Sequence, residues 1–255
     1  MRANQSLAKW RAGQQTIGGW LSLANTHIAE MMSRAGFDWL CIDLQHGLVD
    51  YQDLLHMLPA ISATETTPLV RVTGNDASEI MKVLDAGAMG VIVPLVNNRS
   101  EAQEAVSACK YPPMGLRSFG PTRAALYAGP GYADGADSEI ACIVMIETRQ
   151  GLDNLEEIVT TPGLGGVFIG PADLALALDL PPVGDTDDPE HLAAVERILK
   201  ACKQHDVPAG IYAGSPEFVK KRLDMGFDFV NLGNDSGSLM RAVSQDLRSI
   251  RGESG

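Results

Sequence analysis

The feature that most constrains this chain is a rhythm. Short, continuously apolar, β-branched runs alternate with longer segments of helical period. The runs are Thr16–Leu23, Phe37–Leu44, Thr67–Thr73, Gly90–Val96, Ile140–Thr148, Gly166–Gly170, Pro208–Ala213 and Phe227–Leu232. Each reads as a strand. Most lack the in–out alternation of a half-exposed strand, as expected of parallel strands covered on both faces. The segments between them carry helix punctuation. Asp76 precedes Glu79 at capping-box spacing. Asp188-Pro189 and Ser215-Pro216 place an N-cap residue before a proline at the first helical position. Gly36, Gly87 and Gly226 follow apolar helical stretches, where C-terminal capping glycines belong.

Eight strands alternating with helices predict an α/β fold, a single-domain (β/α)8 TIM barrel over residues 1–255. A doubly wound open sheet is the competing architecture. The length suits one barrel, which typically needs about 250 residues. One stretch breaks the rhythm. Between Tyr111 and Ser138 the chain is rich in Gly and Pro with no sustained period, the signature of a long loop. Arg117 and Arg123, in an otherwise acidic chain, point to a functional loop.

The net charge of −12 argues against nucleic acid or an anionic membrane as the main partner. It leaves room for an anionic small substrate, since one buried arginine or metal dominates a pocket locally. Cys41, Cys109, Cys142 and Cys202 form no C-x-x-C pair and read as reduced, packed thiols. No targeting segment and no run of membrane-spanning length is evident, so the expected location is cytoplasmic.

In a (β/α)8 barrel the active site lies at the C-terminal ends of the strands. There the second run leads into Asp43-Leu44-Gln45-His46-Gly47, the third carries Arg71, the fifth ends at Glu147, and Gly170-Pro171-Ala172-Asp173 follows the sixth. Glu147 sits among apolar residues, where a carboxylate is costly unless paired or bound to a metal. With Asp173 one strand further round, the pair forms a hard oxygen set suited to Mg2+ or Mn2+. For each, a helix cap or an ion pair is the plainer alternative, and Arg71 is the natural partner for Glu147. The Gly170–Asp173 turn opens a helix, whose free N–H groups suit a substrate carboxylate. Arg71 can neutralise charge developing on an oxygen.

His46 is the acid/base candidate, and Asp43, three residues earlier, can orient it. His56, His191 and His205 fall on presumed helices away from the strand ends, and His27 reads as a surface or cap residue. No lysine lies on a predicted strand, which disfavours a Schiff-base mechanism and leaves metal chemistry open. No phosphate-binding glycine loop is present.

Taken together, AGFDWLCIDLQHG, PLVRV, VLDAGAMGVIVPLVNNRSEA, YPPMGLRS, MIET and GLGGVFIGPADLA resemble the HpcH/HpaI aldolase family, the metal-dependent (class II) pyruvate aldolases. The resemblance runs from about residue 15 to 235. It implies a (β/α)8 barrel, often a hexamer whose last helix packs on a neighbouring subunit. It also implies reversible aldol cleavage of 4-hydroxy-2-keto acids to pyruvate and an aldehyde through a metal-stabilised enolate, with Co2+ as another usable ion. Carried over by position, His46 is the general base, Arg71 stabilises the enolate oxygen, and Asp85 raises the basicity of the histidine. Glu147 and Asp173 hold the metal, and the Ala172 backbone and Asp173 contact substrate. Asp85 lies on the presumed helix after the third run, so that role requires it to come from an adjacent subunit. Two positions depart from the family pattern. Gln45 stands where an acid is common, and Met145 stands where close relatives place a substrate-contacting glutamine.

Acyl-CoA lyases of the citrate lyase type are the rival enzyme class, and the modest length tells against an added CoA-binding region. A non-catalytic small-molecule-binding barrel is the rival from another class, and the intact His46, Arg71, Glu147 and Asp173 tell against it. The apolar positions Leu239, Met240, Val243, Leu247 and Ile250 recur at helical spacing in the C-terminal segment and need a surface to cover, either their own barrel or a neighbour.

Overall fold

The computed structural model describes residues 1–252. In chain order the elements are α1 (Gln5–Arg11), β1 (Thr16–Leu21), α2 (Thr26–Ser33), β2 (Trp39–Asp43), α3 (Tyr51–Ser62), β3 (Thr67–Arg71) and α4 (Ala77–Asp85). Then follow β4 (Gly90–Val93), α5 (Arg99–Cys109), α6 (Thr122–Ala128), α7 (Tyr132–Glu139), β5 (Ala141–Met145), α8 (Arg149–Asp153) and α9 (Leu155–Val159). The chain ends with β6 (Gly166–Ile169), α10 (Pro171–Ala177), α11 (Pro189–Gln204), β7 (Ala209–Ala213), α12 (Pro216–Asp224), β8 (Phe229–Asn234) and α13 (Asp235–Arg251). The eight strands pair in parallel, each with its neighbours in sequence, and β8 closes on β1. The open-sheet alternative is thereby excluded.

All eight expected strands form. Seven are shorter than the apolar runs that announced them, while β8 starts later and runs on to Asn234. The residues shed from the C-terminal ends, such as Val72-Thr73 and Ile146–Thr148, become the loops of the upper rim. The interior of the barrel is filled by rings: Trp20, Trp39, Phe168 and Phe229, with Leu69, Ile92, Ile143 and Met145. Gly18 and Gly210 make this possible. A Cβ at Gly18 would stand 2.1 Å from the Trp39 indole, and one at Gly210 2.2 Å from the Phe229 ring. A second, larger apolar layer packs the outward strand faces against the helices.

The lower mouth is sealed by α1, a helix that the strand–helix rhythm did not reveal. Leu7 and Trp10 enter the barrel, Trp10 stacks on Phe229 at 4.3 Å between centroids, and its Nε1 donates to Thr16 Oγ1 at 2.7 Å.

The helix signals behave as the chemistry asks, with one exception. Asp188 and Ser215 cap α11 and α12 ahead of prolines, and Gly36, Gly87 and Gly226 have φ of 100°, 106° and 101°. Asp76 accepts from Glu79 N–H, but the Glu79 carboxylate turns to Thr73 N–H and Oγ1. The reciprocal half of a capping box therefore does not form there. The four cysteines are free and buried, as expected. No helix among the described residues is long and apolar enough to cross a membrane.

The Tyr111–Ser138 stretch is not a plain loop, because it contains α6 and most of α7. Its arginines anchor it to the barrel wall. Arg117, fully buried, pairs with Asp85 (2.8 Å) and donates to Tyr132 Oη (2.9 Å). Arg123 donates to Ala86 O at the end of α4 and to Ser62 Oγ. Both therefore anchor the stretch away from the strand C-termini, where their charge had suggested a functional loop. On α13 the apolar positions do not cover their own barrel: Leu239, Met240, Val243, Leu247 and Ile250 are all exposed.

Candidate active site

The upper mouth holds a cavity of about 320 Å³ that brings together Asp43, His46, Arg71, Gly170, Pro171, Ala172 and Asp173. These residues are distant in sequence and meet because parallel strands all end at the same rim. Asp43 and Arg71 are in register on β2 and β3. Their side chains form a two-pronged pair, Nε to Oδ1 at 2.8 Å and Nη2 to Oδ2 at 2.6 Å. The guanidinium also lies 5.0 Å from the Trp20 ring centroid. Burial alone would raise the Asp43 carboxyl, but the hydrogen bonds and charge of Arg71 hold it below the usual carboxylate range. Burial opposes charge on Arg71 too, and Asp43 more than restores it.

Asp43 does not orient the His46 ring directly, because its carboxylate is committed to Arg71. It accepts instead from the backbone N–H groups of Gln45 (3.0 Å) and His46 (3.2 Å). This fixes the turn that carries the histidine. A Cβ at Gly47 would meet Asp43 O at 2.2 Å, so the turn closes only around glycine. The His46 ring is exposed at the mouth and makes no hydrogen bond among the described residues.

Glu147 leaves β5 two residues past its end and is 3 % exposed. Arg71, committed to Asp43, is not its hydrogen-bonded partner. Oε1 accepts the Leu95 N–H at 2.9 Å, and Oε2 is buried without any partner. Burial pushes its carboxyl up to about 7; the Leu95 hydrogen bond opposes this, the Asp173 charge adds to it, and Arg71 pulls it down. Oε2 lies hard against Gly170, where a Cβ would be 2.2 Å away. That places it at the start of α10, the helix that carries Asp173. Gly170, not Asp173, occupies the N-cap of α10, so the capping alternative for Asp173 does not hold. The first intrahelical bond runs from Leu174 N–H to Gly170 O, which leaves the Ala172 and Asp173 N–H groups unused by the helix.

A buried carboxylate oxygen with no donor, beside a second carboxylate, fits a hard divalent cation completed by water. Among the described residues no group of three or more His, Cys, Asp or Glu side chains converges on one point, and Glu147 and Asp173 are the residues here that could hold such an ion. No lysine lies on a strand. Lys110, the buried one, donates to Asp137 O and Ile140 O at the foot of β5, at the other end of the barrel.

Asp85 does not reach this site within one chain. It ends α4 at the lower rim, paired with Arg117. Several pocket residues escaped the sequence reading. Trp20, Ser22, Tyr212 and Asn234 line the cavity from the ends of β1, β7 and β8, where the strand-end rule alone would have found them. His191 is a different case. Its place on α11 suggested remoteness, yet it is fully buried and its Nε2 lies 2.9 Å from Pro171 O. Since a carbonyl only accepts, Nε2 carries the proton and steadies the start of α10. No sequence signal pointed to this. Met145 lines the cavity floor, and its Sδ-methyl and Glu147 Oε2 both crowd Gly170. Gln45 is half-buried with Oε1 unpartnered.

The chain is similar to known proteins over most of its length. The model of the family described as HpcH/HpaI aldolase/citrate lyase matches residues 16–242. The chain is 42 % identical over 242 residues to a hydroxypyruvate/pyruvate aldolase of Rhizorhabdus wittichii, covering 95 % of this chain and 96 % of the relative. It is 38 % identical over 243 residues to a 4-hydroxy-2-oxo-heptane-1,7-dioate aldolase of Escherichia coli, covering 94 % and 92 %. Among solved structures, an HpcH/HpaI aldolase/citrate lyase family protein from Burkholderia cenocepacia superposes with a TM-score of 0.91 at 34 % identity, covering 98 % of this chain and 100 % of that one. A parallel barrel with paired carboxylates at its upper mouth, matched end to end by these relatives, belongs to the HpcH/HpaI aldolase/citrate lyase family.

Proposed function

We propose that the protein is a divalent-metal-dependent carbon–carbon lyase. It cleaves 4-hydroxy-2-keto acids reversibly to pyruvate, or a close 2-keto acid, and an aldehyde. The single observation that carries this reading is Glu147 Oε2, a buried carboxylate oxygen left without a donor at the mouth that also holds Asp173, Arg71 and His46. Glu147 and Asp173 would hold the ion, with Mg2+ or Mn2+ the expected species and Co2+ a usable one. When bound, it supplies a Lewis acid for the 2-keto group.

The chain's own residues do the rest. The N–H groups of Ala172 and Asp173, at the Gly170-Pro171 turn, receive the substrate carboxylate. Arg71, held rigid by Asp43, donates to the 2-keto oxygen as negative charge grows there. His46 takes the proton of the 4-hydroxyl while the C3–C4 bond breaks, and a proton returned to C3 completes pyruvate. The exposed His46 ring has no hydrogen-bond partner among the described residues. In this reading Asp85 supplies one from a neighbouring subunit, in a hexamer whose assembly covers the exposed apolar face of α13. Four free, buried thiols suit the reducing cytoplasm.

The test is exchange of pyruvate methyl protons with D2O, followed by NMR, which needs no knowledge of the aldehyde. Chelator should stop it and Mg2+ or Mn2+ should restore it. Borohydride trapping of pyruvate on a lysine would sink the reading. For the assembly, light scattering at micromolar concentration should report an oligomer that is lost on truncation before Gly237, and a monomeric wild type would refute it.

A further inference from the structure

Glu147 has two oxygens in different situations, and the difference is made by the loop after β4, which carries Leu95. Oε1 is occupied by the backbone N–H of Leu95, at 2.9 Å. To point its N–H there, Leu95 adopts φ 56°, in the left-handed region. The other two non-glycine residues with positive φ among those described are Asp179 and Asp206. Aspartate tolerates this backbone through its short polar side chain, whereas leucine gains nothing from it. Nor does packing compensate, for the Leu95 side chain is 50 % exposed. Something else must hold the turn.

Asn97 does so. Its Nδ2 donates to Leu95 O at 2.7 Å, and its Oδ1 accepts from Thr148 Oγ1, the residue next to Glu147, at 2.5 Å. Its own backbone is held on both sides: Asn97 N–H donates to Glu101 Oε2 (2.7 Å), and Asn154 Nδ2 donates to Asn97 O (2.8 Å). One amide thus ties the strained turn after β4 to the stretch that delivers Glu147 from β5.

We propose that Asn97 is a positioning residue for the cation site. By bridging Leu95 O and Thr148 Oγ1 it holds Leu95 left-handed, so that the Leu95 N–H occupies Glu147 Oε1 and leaves Oε2 alone to face a divalent cation. The proposal rests on the reading of Glu147 as a cation ligand. It assigns to the loop the part that hydrogen-bonded partners of ligating carboxylates generally play.

The probe is Mn2+ binding to the full-length, metal-stripped protein, measured by calorimetry or by the loss of the free-ion EPR signal. Asn97→Ala should weaken Mn2+ by roughly 10–100-fold, the usual cost of removing such a partner. The decisive variant is the double substitution Asn97→Ala with Leu95→Gly. Glycine takes positive φ without penalty, so the double variant should recover most of the lost affinity although it has fewer contacts. A merely structural role for Asn97 would make the double variant as weak as the single one, or weaker, and either result overturns the proposal. So does wild-type affinity in Asn97→Ala. Hydrogen exchange at the Leu95 amide of the unmodified protein gives a second measurement that needs no variant to fold. It should be slow without metal, and an unprotected amide overturns the proposal. Glu147→Gln separates the layers: if it binds Mn2+ as the wild type does, the cation reading itself falls and this inference with it.

Discussion

The two ends of the barrel are made by the same eight strands and behave in opposite ways. At the lower mouth α1 drives Leu7 and Trp10 into the strands, and Trp10 lies on Phe229 with its one polar atom bonded to Thr16. Thr16 Oγ1 also accepts from Trp39 Nε1 at 3.2 Å. That plug is apolar and aromatic, and its two indole N–H groups are satisfied. At the upper mouth a buried ion pair, a carboxylate with an unpartnered oxygen and a left-handed leucine sit within one rim. The lower plug follows the rules of a stable core, and the upper rim departs from them at these groups. Stability and activity should therefore separate by end.

Trp10→Ala is the largest test of that separation. Emptying the lower plug should cost about 3–5 kcal/mol of stability in urea unfolding, while molecules that remain folded keep their turnover. A loss of turnover in step with stability would show that the two ends are not independent.

Next comes the pH dependence of the metal-free protein. Glu147 is raised in the folded chain from an ordinary value of 4.5 to about 7. An acid whose folded pKa exceeds its unfolded one contributes stability that is complete below the unfolded value and is lost as pH rises through the folded value. Between pH 4.5 and 7 the stripped protein should thus lose about 3 kcal/mol from this group. Glu147→Gln should flatten that slope. The same shift makes cation binding release a proton below pH 7, so Mn2+ affinity should climb with pH to about 7 and then level off. An affinity that does not change over this window would contradict the burial argument.

Arg71→Ala sharpens the comparison from the upper end. Removing a donor aimed at developing charge should reduce turnover by about 3 kcal/mol. It also leaves Asp43 buried and unpaired, so here stability should fall too. His46→Asn should be the smaller and cleaner effect. Its exposed ring supports no packing, so melting temperature should hold while pyruvate proton exchange slows roughly 100-fold or more. Exchange at the wild-type rate would move His46 to the aldehyde side of the reaction.

Much of this was legible in the sequence, because local chemistry is repeated along the chain. Parallel strands covered on both faces must be continuously apolar, so eight such runs announced eight strands. Proline and glycine at helix ends announced the caps. Position at the strand ends then nominated Asp43, His46, Arg71, Glu147 and the Gly170–Asp173 turn, since a closed parallel sheet delivers those ends to one rim. Tertiary structure alone decided who partners whom. Asp43 could serve His46 or Arg71, and the register of β2 and β3 gave it to Arg71. Arg117 and Arg123 looked functional by charge, and packing made them anchors of α4 and the long excursion. His191 is on α11 yet holds Pro171, and Asn97 reaches Thr148 across 51 positions. Periodicity and capping are contained in a few neighbouring residues, so a chain states them directly. A hydrogen bond between distant segments depends on where the whole barrel brings its strands, and that is settled only when the sheet closes.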